Sequence, residues 1–353
     1  MPRALPRPHL RPSSLLVFSV LLCGLVLAAL LAMTIGAAGI PLQRLIAALG
    51  LGSDISGMLA RDQLVLWSIR IPRIAVAAMI GALLAVSGTI MQGLFRNPLA
   101  DPALVGVSSG GAFAAAVAIV LSDSAWGVHL KFLQGQMLPL FAFAGSLLTP
   151  MILYRIASRN GRTSVALFLL AGLAIAALAN AGIGLLVFMA DDRQLRDITF
   201  WLLGSISGAT WTKGLSIAPI ALISLLAIPL VARGLDVLAL GEAEAFHSGV
   251  NVERLKKISI VMVSAMTGAA VSICGVIGFV GIVVPDLLRL MIGPGYRMLL
   301  PDSAFLGAIL LIGADTPARV LAAPAEVPIG ILTATVGAPF FLYMLLRQRG
   351  LGI

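Results

Sequence analysis

The sequence predicts an all-α, polytopic membrane protein with about ten transmembrane helices. Three observations predict it. Hydrophobic residues make up 59% of the 353-residue chain and charged residues 11%, whereas soluble domains carry about 25% charged residues. The mean hydropathy is +1.05, and apolar runs of about eighteen or more residues, the length a helix needs to cross the hydrocarbon layer, recur throughout. The short alternating segments of a membrane β-barrel are absent. The chain reads as one transmembrane domain, 1–353, with residues 1–14 as a cytoplasmic segment and 238–257 as a cytoplasmic loop.

The spans are expected at 15–37, 71–95, 104–122, 137–156, 165–190, 214–233, 257–276, 278–292, 301–316 and 328–346. The first follows Arg3, Arg7 and Arg11. It is longer than the roughly 7–15-residue core of a signal peptide, so it reads as a retained helix. The small residues that end it leave cleavage as the rival. The eighth and ninth spans are short. This order puts both termini on one side, with about fifteen of the 24 Lys and Arg residues. The positive-inside rule makes that side the cytoplasm, which predicts a multi-pass membrane protein with both termini cytoplasmic.

A formal charge of +9 could suggest nucleic acid, but the basic residues sit in short loops, as membrane topology requires. Cys23 and Cys274 lie in apolar runs and read as packing residues, and His9, His129 and His247 are scattered. No metal site is expected. Ala78-Met79-x-Gly81-Ala82 recurs as Ala265-Met266-x-Gly268-Ala269, and Gly88 and Pro98 match Gly275 and Pro285 at the same offset. With opposite predicted directions for the copies, this reads as an inverted repeat with a substrate path between the halves. Chance in an Ala/Gly-rich chain is the alternative.

Arg70-Ile-Pro-Arg73 places two charges at one mouth of the second span, and Arg319 lies in another loop on that side. These arginines read as a docking surface for a partner, or as helix-end anchors that snorkel to headgroups. Small residues at packing spacing, such as Gly81 with Ala85, suit close helix approach in lipid. Asn180, polar near mid-membrane, is a candidate for the translocation path, with packing as its plainer role. The segment 238–257 is amphipathic and is broken by Gly241 and Gly249. Its Glu242 and Glu244 would be repelled by anionic headgroups, which favours a protein partner over a helix lying on the membrane. No phosphate-binding loop of the form G-x-x-x-x-G-K-[ST] occurs, so if ATP drives this protein, another chain binds it. Asp286 and Asp315 are expected near span ends.

Several long stretches resemble the FecCD-type permeases, the membrane subunits of ABC importers for ferric siderophores, haem and vitamin B12. These are 69–115, 238–255, Gly275 to Pro285, Ala314-Asp-Thr-Pro-Ala-Arg319, Ala325 to Gly330 and Gly337-Ala-Pro-Phe340. The resemblance implies a transport subunit rather than an enzyme, with no cofactor of its own and ATP with magnesium on a partner. It implies ten helices, a homodimer around a central path, two ATPase subunits, a periplasmic binding protein, surrounding lipid and no nucleic acid. By similarity to the vitamin B12 permeases, Arg70, Arg73 and Arg319 match the arginines that meet the binding protein. Gly241, Glu242, Glu244, Gly249 and Leu255 fall in the coupling segment that meets the ATPase, and Thr163 and Ser164 fall at the cytoplasmic gate. Asp286 stands where the family usually has His. The stretch 192–205 and Gly208-Ala-Thr-Trp211 look most like haem permeases.

Two rivals come from other classes. A secondary transporter would need buried, paired ionisable groups near mid-membrane. A membrane anchor would not need outer arginines together with an inner docking loop.

Overall fold

The structure is a computed structural model and describes residues 14–36, 39–52, 57–122, 135–159 and 162–349. Fifteen α-helices dominate it. They are α1 (Ser14–Thr34), α2 (Leu42–Ala48), α3 (Leu59–Val65), α4 (Ile71–Phe95), α5 (Val107–Ser122), α6 (Met137–Ala157), α7 (Val165–Met189) and α8 (Asp192–Leu202). Then follow α9 (Trp211–Leu226), α10 (Ile228–Leu238), α11 (Glu242–His247), α12 (Val252–Cys274), α13 (Val280–Ile292), α14 (Tyr296–Ala318) and α15 (Ile329–Arg349). A two-residue antiparallel hairpin, β1 (Ser158–Arg159) and β2 (Arg162–Thr163), joins α6 to α7. The predicted N-terminal segment lies outside the described residues.

Every expected span from 15 onward meets a helix, but not every one is a full span. Among the described residues six helical segments can cross a membrane by length and composition, α1, α3 with α4, α6, α7, α12 and α14, or seven if α9 and α10 count as one. The expected span 214–233 is broken: α9 and α10 meet at Ala227 with a 47° bend. Pro229, second in α10, causes it, because it has no N–H to give and its ring presses on the carbonyl four residues back. α13 has 13 residues, a rise of about 20 Å against a hydrocarbon layer of about 30 Å. The unwound stretch 275–279, with Gly275 at φ 72 and Phe279 at φ 68, precedes it.

Before α4 the chain makes a π-helical turn, Leu66–Arg70. Pro72 again explains it, since its ring displaces the carbonyl of Ser68 from α-helical register. At its other end α4 stops at Arg96, a left-handed cap at φ 49 followed by Asn97 and Pro98.

The helix directions follow from contacts. Arg73 at the start of α4 meets Asp315 at the end of α14, Thr89 meets Ser303, and Gly93 lies against Tyr296. So α4 and α14 are antiparallel. At the end of α4, Phe95 packs at a tilt against Phe168 at the start of α7. The hairpin before α7 bonds to Glu253 at the start of α12. Hence α4 and α12 run in opposite directions, as an inverted repeat requires. Their partners also exchange: α4 packs on α13 and α14, α12 packs on α5 and α6, and α4 packs on α12. The matched glycines obey the exchange. A Cβ at Gly81 would strike the α14 backbone at Gly307, and Gly268 faces Phe143 and Ser146 of α6. Gly88 meets the backbone of Gly281 on α13, where no side chain fits. In lipid such close backbone approach replaces the hydrophobic drive that holds a soluble core.

Candidate functional site

Chemistry-bearing side chains gather at the two ends of this bundle. At one end the start of α4, the end of α14 and the loop 319–328 meet the end of α1. Arg73 forms a fork with two carboxylates: Nη2 to Asp315 Oδ1 at 2.8 Å and Nη1 to Glu326 Oε1 at 2.7 Å. Arg319 Nε lies 3.2 Å from Asp315 Oδ2, and its Nη2 donates to the Ala32 carbonyl at 3.3 Å. Arg70 Nη1 donates to the Met33 carbonyl. Beside the cluster, α2 and α3 are clipped by Arg44 Nε donating to Asp62 Oδ2 at 2.7 Å. The Trp67 carbonyl accepts from Trp211 Nε1 at 2.9 Å.

This corrects the expectation of an exposed arginine surface, and of arginines snorkelling to headgroups. Arg70, Arg73 and Arg319 are 4, 6 and 8% exposed. The physical reason is the cost of leaving Asp315 buried without a partner. Two of the arginines neutralise it, and all three tie α1, α4 and α14 together. Three cations against two carboxylates leave the cluster at +1, so the face keeps a positive field although its arginines are covered.

At the opposite end α10, α11, the start of α12 and the hairpin frame a groove of about 920 Å³, lined among others by Thr163, Ser164, Glu242, Phe246, Val250 and Lys256. Gly241 at φ 135 and Gly249 at φ 79 bracket α11, which is why the segment breaks where the sequence suggested. At Gly241 the φ itself disfavours any side chain. Glu242, Glu244 and Gly249 are exposed, and Phe246 is 73% exposed. Leu255 is buried against Gly234 of α10, where a Cβ would strike its methyl groups. The loop is shorter than 238–257, because Asn251 caps α12 by accepting from Arg254 N at 2.9 Å, and Val252 already starts the helix.

The hairpin is tied to this platform. Glu253 accepts from Thr163 N at 3.1 Å and Thr163 Oγ1 at 2.7 Å. Lys256 reaches Glu242, Glu253 and the Thr163 carbonyl. Ser164, next in the chain, is the N-cap of α7, its hydroxyl accepting from Leu167 N at 3.3 Å. The structure thus brings Thr163 and Ser164 together with the loop 241–255. Asn180 is elsewhere, on the exposed side of α7 together with Leu173, Leu178 and Leu185.

Asp286 lies within α13, not near its end, and pairs with Arg289 at 2.9 Å. Arg289 also donates to Gln92 of α4. Asp302 on α14 is fully buried with neither carboxylate oxygen bonded. Buried ionisable groups are therefore more numerous than the sequence reading allowed. No cluster of potential metal ligands occurs among the described residues.

Residues 24–347 match the FecCD transport family. The chain belongs to that family. Among its relatives it is 44% identical to a hemin transport system permease of Yersinia pestis, over 86% of this chain and 94% of the relative. It is 43% identical to a cobalamin import system permease of Halobacterium salinarum, covering 81% and 74%, and 39% identical to an iron(3+)-hydroxamate import system permease of Bacillus subtilis, covering 93% and 82%. A solved inward-facing structure of a metal-chelate type ABC transporter superposes with a TM-score of 0.79 at 30% identity, over 94% of this chain and 99% of that one. As a FecCD permease of the ABC importer type, the chain is a transport component of a membrane complex.

Sequence reasoning missed Glu253, Lys256 and Glu326. The Glu253–Lys256 spacing of three at a helix start was a visible pairing signal.

Proposed function

We propose that this chain is the membrane subunit of a binding-protein-dependent ABC importer that moves haem across the inner membrane by alternating access. It works as a homodimer with two ATPase subunits below and a periplasmic binding protein above. The observation that carries this is the platform around α11, an exposed acidic and aromatic helix bracketed by left-handed glycines and wired to the hairpin before α7. Such a feature has no use in a permease that works alone. It suits an ATPase that pushes on α11 and so moves the hairpin, with Thr163 and Ser164 at the inner gate.

The arginine end receives the binding protein. Its buried cluster sets the shape of that face and supplies a positive field for acidic lobes, and Glu326, the partly exposed member, sits at its edge. The unpartnered side of α7, with Asn180 near its middle, is the face offered to the second copy, and the path runs between the copies. Both termini lie on the cytoplasmic side with α11. Haem is favoured by the hemin permease relative at 44% identity and by the stretch 192–211.

The test is uptake into vesicles holding the chain with its ATPase and binding protein. Hemin, cobalamin and a ferric hydroxamate are offered separately. ATP-dependent accumulation of hemin alone supports the reading. Accumulation of one of the others moves the cargo assignment and keeps the importer.

A further inference from the structure

Lys256 is 3% exposed, and an ammonium in such a place is costly unless it is paired. Its Nζ finds three oxygens on three elements. Glu242 Oε1 on α11 is at 3.1 Å, Glu253 Oε1 in the first turn of α12 is at 3.2 Å, and the Thr163 carbonyl in the hairpin is at 3.3 Å. Glu253 in turn holds the same threonine through its backbone N–H and its hydroxyl. Thr163 Oγ1 lies 2.8 Å from Ser158 Oγ across the hairpin. Both strands are thereby linked to one buried cation. Glu242 is the first residue of α11, so any displacement of that helix shifts one of the three oxygens around the ammonium. The three rotatable donors of an ammonium can re-aim through small displacements, which the fixed fork of a guanidinium does less well.

We propose that Lys256, together with Glu253, is a positioning pair that transmits displacement of α11 to the gate hairpin. When α11 moves with a bound ATPase, the ammonium follows Glu242 and carries Glu253 and Thr163 with it. The strands Ser158–Arg159 and Arg162–Thr163 and the start of α7 then shift as one piece. This rests on the importer reading above and adds the residues through which its coupling runs.

The test assembles wild-type, Lys256→Met, Lys256→Arg and Glu253→Gln chains with the ATPase and binding protein in proteoliposomes, with hemin as the probe. ATP hydrolysis and hemin uptake are recorded on the same vesicles, and amide exchange of residues 158–164 is followed with and without ATP. In Lys256→Met, hemin moved per ATP is expected to fall about tenfold, and exchange in the hairpin should stop responding to ATP. Lys256→Arg keeps the charge but not the re-aiming donors, so it should restore assembly and only part of both. A lysine that only stabilises the fold would lower the yield of complex but leave hemin per ATP and the hairpin response unchanged in what assembles. That result overturns the proposal. If Lys256→Met does not assemble, Glu253→Gln decides, since Glu242 still pairs the ammonium: an unchanged hairpin response to ATP in that variant also overturns it. A wild-type chain that binds no ATPase would instead overturn the importer reading.

Discussion

Arg73 and Lys256 sit at opposite ends of the bundle, and each is buried between two carboxylates from other turns of the fold. The differences between them are instructive. Arg73 makes a bidentate fork to Asp315 and Glu326, with side chains 7, 3 and 34% exposed, and it joins α4 to α14, two helices that already pack along much of their length. Lys256 makes single contacts to Glu242 and Glu253, whose side chains are 46 and 31% exposed. It joins a six-residue helix to a hairpin, two small pieces with little packing of their own. A planar fork fixes geometry, and a point charge with rotatable donors lets geometry change. The proposed coupling needs the α11 end to move, and the arginine end has the geometry to hold its shape.

The largest effect that could break this contrast is on stability. Arg73→Met should lower unfolding stability by about 3 kcal/mol, because it strands buried carboxylate charge. The loss is held at that level because Arg319 still pairs Asp315. Lys256→Met should cost only about 1 kcal/mol, because its exposed glutamates regain water. Thermal unfolding in one detergent compares the two directly, and equal losses would remove the distinction.

Next comes assembly. Glu242→Lys combined with Glu244→Lys, and separately Gly249→Pro, should weaken co-purification of the ATPase with the helical fold intact. Proline cannot adopt the φ of 79 found at Gly249. If both variants co-purify the ATPase normally, the docking end is not where the ATPase sits. The isolated chain should hydrolyse no ATP, and turnover by pure chain would contradict the division of labour between subunits.

The smallest effect concerns the arginine end. Reversing Arg70, Arg73 and Arg319 now tests folding more than docking, because all three are buried. Glu326→Gln is the sharper variant. It raises the cluster from +1 to +2, leaves Arg73 on Asp315, and should strengthen binding-protein association by about 0.2–1 kcal/mol. The gain should shrink at high salt. No gain at low salt would detach this face from the binding protein.

Much of the fold was legible because apolar runs and prolines are local signals. The span 71–95 matches α4 at both ends, with Pro72 starting it and Asn97-Pro98 following its end. The bend at Ala227 was readable from Pro229 but was passed over inside a continuous apolar run. The helices α2 and α8 are short, with α8 strongly amphipathic, so a search for long apolar segments skips them. At the docking end the glycine breaks at 241 and 249 were readable, since only glycine suits those backbone angles beside acidic residues. The burial of the arginines was not readable. The carboxylates that cover Arg73 lie 242 and 253 residues further along the chain, and no local pattern announces a partner that folding delivers from the other half of a repeat. A similar distance, 197 residues, separates Arg289 from Gln92.

In the mechanism proposed, ATP bound on another chain drives transport through this one by way of α11. Uptake of hemin into vesicles that contain the full complex tests it most directly, measured with ATP, without ATP but with an imposed proton gradient, and with ATP in the Glu242→Lys, Glu244→Lys variant. Accumulation is expected only in the first condition. Uptake driven by the proton gradient alone, or undiminished ATP-driven uptake in the variant, would contradict it.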